Sequence, residues 1–357
     1  MSKNLKFDIL RTTLAIGIAL FIALVIILSV SKEPFAAISQ LLFGPLGTVR
    51  HFGNVVEMTI PLVFTGLAVS VMFKASQFNL GAEGAFFFGA IGASIIAMKV
   101  ALPIVIHPLA AILVGGLVGA IVTGIPAILK VKWGASELVS SLMLNYVAFF
   151  LGLYLINYFF RDVSAGAMVS LPFLDTANLM VLIPKTRIHF GIIIAAIMTV
   201  LTYYYLYKSK SGYEIIVTGE NIKFAEYSGI KTGKVILMAQ LIGGFIAGAG
   251  GATELLGMYT RFSWQALPGY GWDGIIVAIL ARNNPILVPI AAFFLAYLRI
   301  GADLMSRTTD VQNDVIAIIQ GIMIVLIVAA SFLEKYRHKL TFKEAKENLG
   351  QSSKEGK

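Results

Sequence analysis

The chain is divided into about ten apolar segments, two of them short and most of the others close to the roughly 20 residues that a helix needs to cross a bilayer. They are residues 12–30, 55–73, 84–98, 103–129, 138–160, 188–207, 235–257, 264–280, 286–304 and 315–333. Hydrophobic residues make up 58% of the 357 and charged residues only 13%, whereas a soluble chain is about half apolar and about a quarter charged. The sequence therefore predicts an all-α polytopic membrane protein with a transmembrane domain over residues 12–333.

Basic residues mark one side of this domain. Placing residues 1–11 in the cytoplasm brings most of the basic connections to that side: Lys74, Lys130, Lys132, the loop 208–234, Arg282 and the tail 334–357. An excess of Lys and Arg is typical of cytoplasmic connections. We therefore expect both termini in the cytoplasm and the segment 12–30 to be a span, not a cleaved signal peptide. The net charge of +9 then matches anionic lipid and not nucleic acid.

The sequence lacks the residues that many catalytic and nucleotide-binding sites need. It contains no Cys and only four widely separated His, so thiolate and His-based metal sites are not expected. The pattern G-x-x-x-x-G-K-[ST], which cradles nucleotide phosphates, does not occur in it. We therefore expect no enzymatic activity and no cofactor bound by this chain. Any ATP-driven role requires a partner that hydrolyses ATP.

Two glycine-rich breaks interrupt the apolar pattern and are similar to each other. FNLGAEG at 78–84 and PGYGWDG at 268–274 each place an acidic residue directly before Gly at the start of an apolar helix. The predicted topology gives the two breaks opposite directions. Transporters built from inverted-repeat halves with broken or re-entrant helices have this arrangement, with the substrate path where the halves meet.

The side chains at these breaks have two interpretations. Glu83 and Asp273 stand where carboxylates cap helix amino ends, but ionisable residues inside a membrane also mark transport paths. The second interpretation places on the substrate path Phe78, Asn79, Glu83, Tyr270, Trp272 and Asp273. Asn145 lies deep in an apolar segment, where it either bonds a neighbouring helix or lines the path.

Four other polar residues stand at the starts of apolar segments. Ser136 is expected to cap a helix, with Glu137 in its first turn. Asn54 and Glu57 lie at the start of the segment 55–73, where they are either residues of the membrane interface or residues of a gate. The small-residue runs GGLVG and GGFIAGAGG predict close helix packing.

A long polar connection, residues 208–234, interrupts the apolar sequence. Within it, residues 220–227 predict a short amphipathic helix, and Gly229 is a common kind of helix stop. So short a helix is marginal by itself in water. We therefore expect its apolar face to dock in a groove of a partner protein.

Several short motifs follow one another between residues 54 and 301. They are GYEI from Gly212, GEN from Gly219, AEYSGIK from Ala225, GAGGATE ending at Glu254, RFS from Arg261, GYGWDGI from Gly269 and ARNNP from Ala281. Together they resemble the permease subunits of bacterial ABC importers of the ribose and branched-chain amino acid type. FNLGAEG at 78–84 resembles the branch that imports nucleosides.

The resemblance implies a two-permease importer in the bacterial cell membrane, fed by an extracellular substrate-binding lipoprotein. An ATPase with two nucleotide-binding domains would use ATP and Mg²⁺ to power it. In this family the loop equivalent to 208–234 docks on the ATPase. That coupling role is carried here to Glu220, Asn221, Ala225, Gly229 and Ile230. The nucleoside branch pairs two different permeases, so the resemblance implies a heterodimer that carries a purine nucleoside such as guanosine.

Alternatives to this function remain open. A simple sugar such as ribose or galactose suits a path with aromatic faces and a few hydrogen-bonding groups nearly as well as a nucleoside does. An ion-coupled secondary transporter would use Glu83 or Asp273 as its proton or cation site. A polytopic membrane enzyme is a third class, against which the sequence offers no acidic or His motif with catalytic spacing.

Overall fold

The computed structural model describes residues 31–311 without interruption, together with single residues between 22 and 29 and between 318 and 325. The described helices are α1 (Pro34–Phe43), α2 (Val49–Lys74), α3 (Ala82–Lys99), α4 (Ile106–Trp133), α5 (Glu137–Phe159), α6 (Gly191–Lys208), α7 (Lys210–Glu220), α8 (Ile222–Tyr227), α9 (Thr232–Met258), α10 (Tyr270–Leu280) and α11 (Val288–Thr308). Short 3₁₀ turns occupy Gly44–Leu46 and Asp175–Ala177.

Within the described residues, 7 helices are long and apolar enough to cross a membrane: α2, α3, α4, α5, α6, α9 and α11. The prediction of an all-α polytopic membrane protein is confirmed. The predicted span 264–280 contains only the 11-residue helix α10, which is too short to cross a bilayer. Because the segments 12–30 and 315–333 lie almost wholly outside the described residues, the count of about ten spans stays a prediction.

The described chain forms two compact units. One is Pro45–Ile300, which holds the site described below. The other is formed by the described residues up to Gly44 together with those from Gly301 onward. In its described part, the Asp310 carboxylate accepts hydrogen bonds from the Ser31 hydroxyl at 2.6 Å and from the Lys32 backbone N–H at 2.7 Å.

Helix α9 is the centre of the unit Pro45–Ile300, packing against α2, α3 and α4. Small residues allow the approach, as the Gly-rich runs predicted. A Cβ added to Gly119 would lie 2.4 Å from the Gly244 carbonyl oxygen, and one added to Gly248 would lie 2.3 Å from that of Gly115. Both distances are below contact, so α4 and α9 can touch backbone to backbone only without side chains at these positions.

The start of α5 is organised as its sequence predicted. The Ser136 side chain accepts from the Val139 backbone N–H at 3.5 Å. Glu137, in the first turn, pairs with Lys130 at 2.8 Å. The ion pair joins the end of α4 to the start of α5, where a carboxylate also complements the positive end of the helix dipole.

Candidate functional site

Each predicted break, 78–84 and 268–274, contains the end of a non-helical segment and the start of the helix that follows it. The non-helical segments, residues 75–81 and 259–269, enter the helix bundle from opposite faces and are called the first and the second break below. Ser76 donates its hydroxyl to the Gly219 carbonyl at 2.6 Å, so the first break starts at the face that carries α7. The second break starts beside the loop 160–190, where the Phe173 N–H donates to the Thr260 carbonyl at 2.8 Å. We call these two sides the α7 face and the loop face.

The two breaks meet at Glu83. Its carboxylate accepts hydrogen bonds from the backbone N–H groups of Gly269 at 2.6 Å and Gly271 at 2.5 Å. These are free amides at the amino end of α10, where a carboxylate also complements the helix dipole. Gly271 must be Gly, because an added Cβ would lie 2.3 Å from the Glu83 backbone nitrogen. Glu83 therefore caps the helix of the other break, whereas the sequence suggested a cap of its own helix.

Asn145 holds the first break in place from α5. Its side chain accepts from the Gly84 N–H at 2.9 Å and donates to the Leu80 carbonyl at 2.9 Å. One turn earlier on the same helix, the Ser141 hydroxyl accepts from the Leu80 N–H at 3.0 Å. Buried backbone groups need partners when helical bonds are missing. Asn145 supplies these partners from α5. It therefore forms the interhelical hydrogen bonds that were one of the two roles expected for it.

Asn79 ties the same break to α9. Its side-chain oxygen accepts from the Gly81 N–H at 2.6 Å, and its amide nitrogen donates to Gln240. Thr123 on α4 donates to the Gln240 backbone carbonyl at 2.7 Å. Gln240 was not among the residues predicted from the sequence, although a single amide inside an apolar segment is a signal of such a role.

Asp273, in the first turn of α10, pairs with Arg299 on α11 at 2.5 Å. The aspartate side chain is 4% exposed and the arginine side chain 33% exposed. The second carboxylate oxygen of Asp273 is buried and has no hydrogen-bond partner among the described residues. Sequence reasoning missed Arg299, whose position as a charged residue in an apolar segment could have identified it.

Aromatic side chains surround the point where the breaks meet. The Phe86 ring lies 5.9 Å from Trp264, nearly parallel to it, and 5.3 Å from Tyr270. Trp264 also contacts the edge of Tyr259 at 5.8 Å. Two further predicted path residues are more exposed, Phe78 at 59% and Trp272 at 39%. Such faces suit a planar or sugar-like ligand.

In this conformation, the predicted path residues fall into two groups. Asn79, Glu83, Asn145 and Asp273 are buried with hydrogen bonds inside the fold. Phe78, Tyr270 and Trp272 expose more of their surface. The geometry joins Glu83 to the amino end of α10. Phe78 lies in the first break and packs against the Phe73 ring at 5.1 Å.

The polar connection 208–234 folds into two helices, α7 and α8, where the sequence predicted one. Asn221 separates them and caps α8, accepting from the Phe224 N–H at 3.1 Å. Gly229 then has φ +80, a left-handed conformation that side chains disfavour. The Ile230 N–H donates a hydrogen bond to the Ala225 carbonyl at 3.0 Å. The predicted helix and its stop are therefore confirmed, with a start at Ile222.

Helix α8 presents an apolar surface to its surroundings. Tyr227 is 92% exposed and Phe224 58% exposed, while Ala225 is fully buried against the rest of the unit. Beside it lies a cavity of about 510 Å³ between α7, α8 and the start of α9. Its lining includes Lys210, Tyr213, Glu214, Phe224, Ile230 and Lys234. Exposed aromatic residues next to a charged groove are typical of protein interfaces.

Helix α7 is locked to the end of α2. A Cβ added to Gly219 would lie 1.9 Å from the Lys74 carbonyl oxygen. Beside this contact, Ser76 forms its bond to the Gly219 carbonyl. Helix α7 is therefore in direct backbone contact with the end of α2 and is hydrogen-bonded to the start of the first break.

The loop face has a basic cavity of about 710 Å³. Three exposed cations line it, Arg50 from the start of α2 and Lys185 and Arg187 from the loop 160–190. The same loop is anchored by Asp162, which pairs with Arg261 at 3.2 Å. A hydrogen bond from the Ser164 side chain, helped by Arg261, holds the pKa of Asp162 below its usual value. This contribution to stability is present above the usual pKa of Asp and is lost as the pH falls through the lowered one.

Comparison with known proteins decides the family. The family model for the permease component of branched-chain amino acid transport systems matches residues 52–328. The chain belongs to this permease family. The match covers both breaks and the α7–α8 connection, so these features lie within the family's common region. Members of this family are transport components.

Several relatives resemble the permease over most of its length. It is 31% identical over 334 residues to the glucose ABC transporter permease protein TsgB13 of Haloferax volcanii, covering 91% of this chain and 88% of the relative. It is 31% identical over 306 residues to the guanosine ABC transporter permease protein NupP of Bacillus subtilis, covering 84% and 86%. It is 26% identical over 346 residues to the nucleoside ABC transporter permease protein NupB of Lactococcus lactis, covering 93% of each chain. No solved structure matches the permease.

Proposed function

We propose that this chain is one of two permease subunits of an importer that moves nucleosides across the bacterial cell membrane, driven by a separate ATPase. The observation that carries the proposal is the docked connection α7–α8, which exposes an apolar helix and contacts the first break. The ATPase would hold α8 in a groove of its surface. ATP and Mg²⁺ would be bound by that partner and not by this chain.

The mechanical path runs from α8 through α7 to the first break. Movement of α8 shifts α7, whose Gly219 lies against Lys74 at the end of α2. Ser76 follows through its bond to Gly219, and the break leads from there to Asn79 and Glu83. Because Glu83 caps α10, displacement of one break must disturb the other. The two faces of the path would thus open alternately.

A nucleoside is the substrate favoured by the relatives and by the aromatic residues. Two of the relatives named above carry nucleoside or guanosine in their names, and the exposed aromatic side chains of Phe78 and Trp272 can pack against a base. A sugar is the second candidate, because the glucose permease of Haloferax volcanii matches the chain equally well by identity. Competition of labelled guanosine uptake by unlabelled guanosine, ribose and glucose separates the two.

The remaining partners follow from the two faces. We assign the loop face to the outside, where the basic cavity formed with Arg50, Lys185 and Arg187 would receive an acidic surface of the substrate-binding lipoprotein. The α7 face then lies in the cytoplasm, with both termini on the same side. A second, different permease would complete the path.

The test is reconstitution of both permeases, the ATPase and the binding protein in liposomes, comparing Gly229→Val with Gly229→Asn. A Cβ at Gly229 meets nothing within 4 Å, so the two variants differ mainly in their tolerance of the left-handed backbone, which Asn adopts more readily. We expect Gly229→Val to hydrolyse ATP without uptake and Gly229→Asn to resemble the wild type.

Unchanged uptake by Gly229→Val would remove the coupling assignment, and Glu220→Lys provides an independent second variant. Ion-driven accumulation of substrate by this chain alone in proteoliposomes would instead favour the secondary-transporter alternative.

A further inference from the structure

The chain that follows α5 folds back on itself as a short antiparallel hairpin. The Leu171 N–H donates to the Phe160 carbonyl at 2.8 Å, and the Asp162 N–H donates to the Val169 carbonyl at 3.0 Å. The tip of the hairpin, which lies between these last two residues, is exposed on the loop face. We call residues 160–171 the outer hairpin.

The outer hairpin is bonded to the second break. The Ser170 N–H donates to the Phe262 carbonyl at 3.0 Å, and the Ser170 hydroxyl accepts from the Phe262 N–H at 2.9 Å. The Gln265 side chain donates to the Met168 carbonyl at 2.5 Å. The ion pair of Asp162 described above adds a further contact. Because the second break forms no helix here, the hairpin supplies partners that its backbone needs.

The base of the outer hairpin is fixed to other helices. One strand of the hairpin follows directly from α5, which ends at Phe159. Beyond the other strand, the Leu174 N–H donates to the Ala97 carbonyl at 3.0 Å, near the end of α3. The Thr176 hydroxyl then lies 2.8 Å from Nδ1 of His107, in the first turn of α4. The outer hairpin therefore joins the second break to α3, α4 and α5.

The second break is held at both of its ends. The outer hairpin bonds residues 260–265, and at the other end the Gly269 N–H donates to Glu83 at 2.6 Å. Between these points, Phe262 is fully buried and its ring lies 5.7 Å from that of Trp264. Trp264 in turn faces Phe86 beside the meeting point of the two breaks. The hairpin thus covers the loop-face end of the segment that leads to this aromatic group.

We propose that the outer hairpin is a latch that closes the loop face of the substrate path, and that each transport cycle separates it from residues 260–265. The proposal rests on the function proposed above, since it assigns the outer gate of that importer. Separation uncovers the rings of Phe262 and Trp264 on the side from which the substrate enters. These rings offer a flat apolar surface to a base or a sugar. Opening of a closed segment around a substrate is a common switching movement.

The test ties the latch shut with a reversible link in a chain that has no Cys of its own. Met168→Cys and Gln265→Cys are introduced together in the reconstituted transporter, because both positions are exposed and their residues are bonded to each other. A short bis-methanethiosulfonate reagent links the two thiols, the mass of the intact chain verifies the link, and a reductant removes it. We expect uptake of labelled guanosine, or of labelled glucose if the competition experiment selects the sugar, to fall several-fold in the linked form and to return on reduction.

Val163→Cys together with Met168→Cys is the matched control. Both residues are exposed at the hairpin tip, beside the bond between Asp162 and Val169, so the same reagent links the hairpin to itself and leaves the second break free. This link should not change uptake. A hairpin that only braces the break would tolerate the link to Gln265→Cys, so equal uptake by the linked and reduced forms of that variant would overturn the proposal. Uptake by the reduced form would still leave the importer function standing.

Discussion

Replacing Glu83 with Ala tests whether the two breaks are held together by its carboxylate. The change leaves two N–H groups without their acceptor, the part-buried one of Gly269 and the buried one of Gly271. Each buried donor left unpaired costs about 1–3 kcal/mol, so the free energy of unfolding should fall by about 2–6 kcal/mol. Glu83→Gln retains one acceptor oxygen but turns an amide N–H toward the other donor. Glu83→Gln should therefore lower the free energy of unfolding by about half as much as Glu83→Ala does.

The assay is thermal unfolding of the purified permease in detergent, followed by the fraction that remains monodisperse. Glu137→Ala is the matched control, because Glu137 is also in the first turn of a spanning helix but pairs with a partly exposed Lys130. Its loss should cost at most about 1 kcal/mol. If Glu83→Ala were as stable as this control, the cap between the breaks would contribute nothing and the reasoning would be wrong.

Two further changes test the rest of the site. Gly219→Ala places a Cβ 1.9 Å from the Lys74 carbonyl and should force α7 away from α2. We expect reduced uptake per ATP hydrolysed in the reconstituted complex, while Gly166→Ala, whose Cβ meets nothing within 4 Å, should have no effect. Asp273→Ala leaves Arg299 without its carboxylate and should cost about 1–3 kcal/mol, because the arginine is one-third exposed. Loss of folded protein would support a structural role, and normal expression with altered substrate preference would support a place on the path.

The sequence predicted much of the fold because membrane helices depend on local composition. Apolar length identified α2 to α6, α9 and α11, and Gly-rich punctuation identified both breaks. The prediction that residues 264–280 form a span was wrong. Apolar content alone cannot show that residues 259–269 enter the bundle without forming a helix. Helix α7 was missed because GYEIIVTG mixes Gly with β-branched residues that have weak helix propensity.

The partners in the site could not be predicted, because they depend on distant pairing. Glu83 and Gly269 are separated by 186 positions. Nothing local to Glu83 distinguishes a cap for its own helix from a cap for another. Gln240 and Arg299 had a recognisable signal, which was a polar side chain inside an apolar segment. Their partners are visible only once the helices are packed.

The most direct test of coupling is a crosslink from α8. Tyr227 is 92% exposed, and Tyr227→Cys would give a single thiol in a chain that has none. In membranes containing the whole transporter, a short thiol-directed photocrosslinker at this position should capture the ATPase subunit. The yield should change when ATP is added. Val163→Cys, on the loop face, should not capture it. If Tyr227→Cys captured no ATPase while the complex remained active, α8 would not be the coupling element.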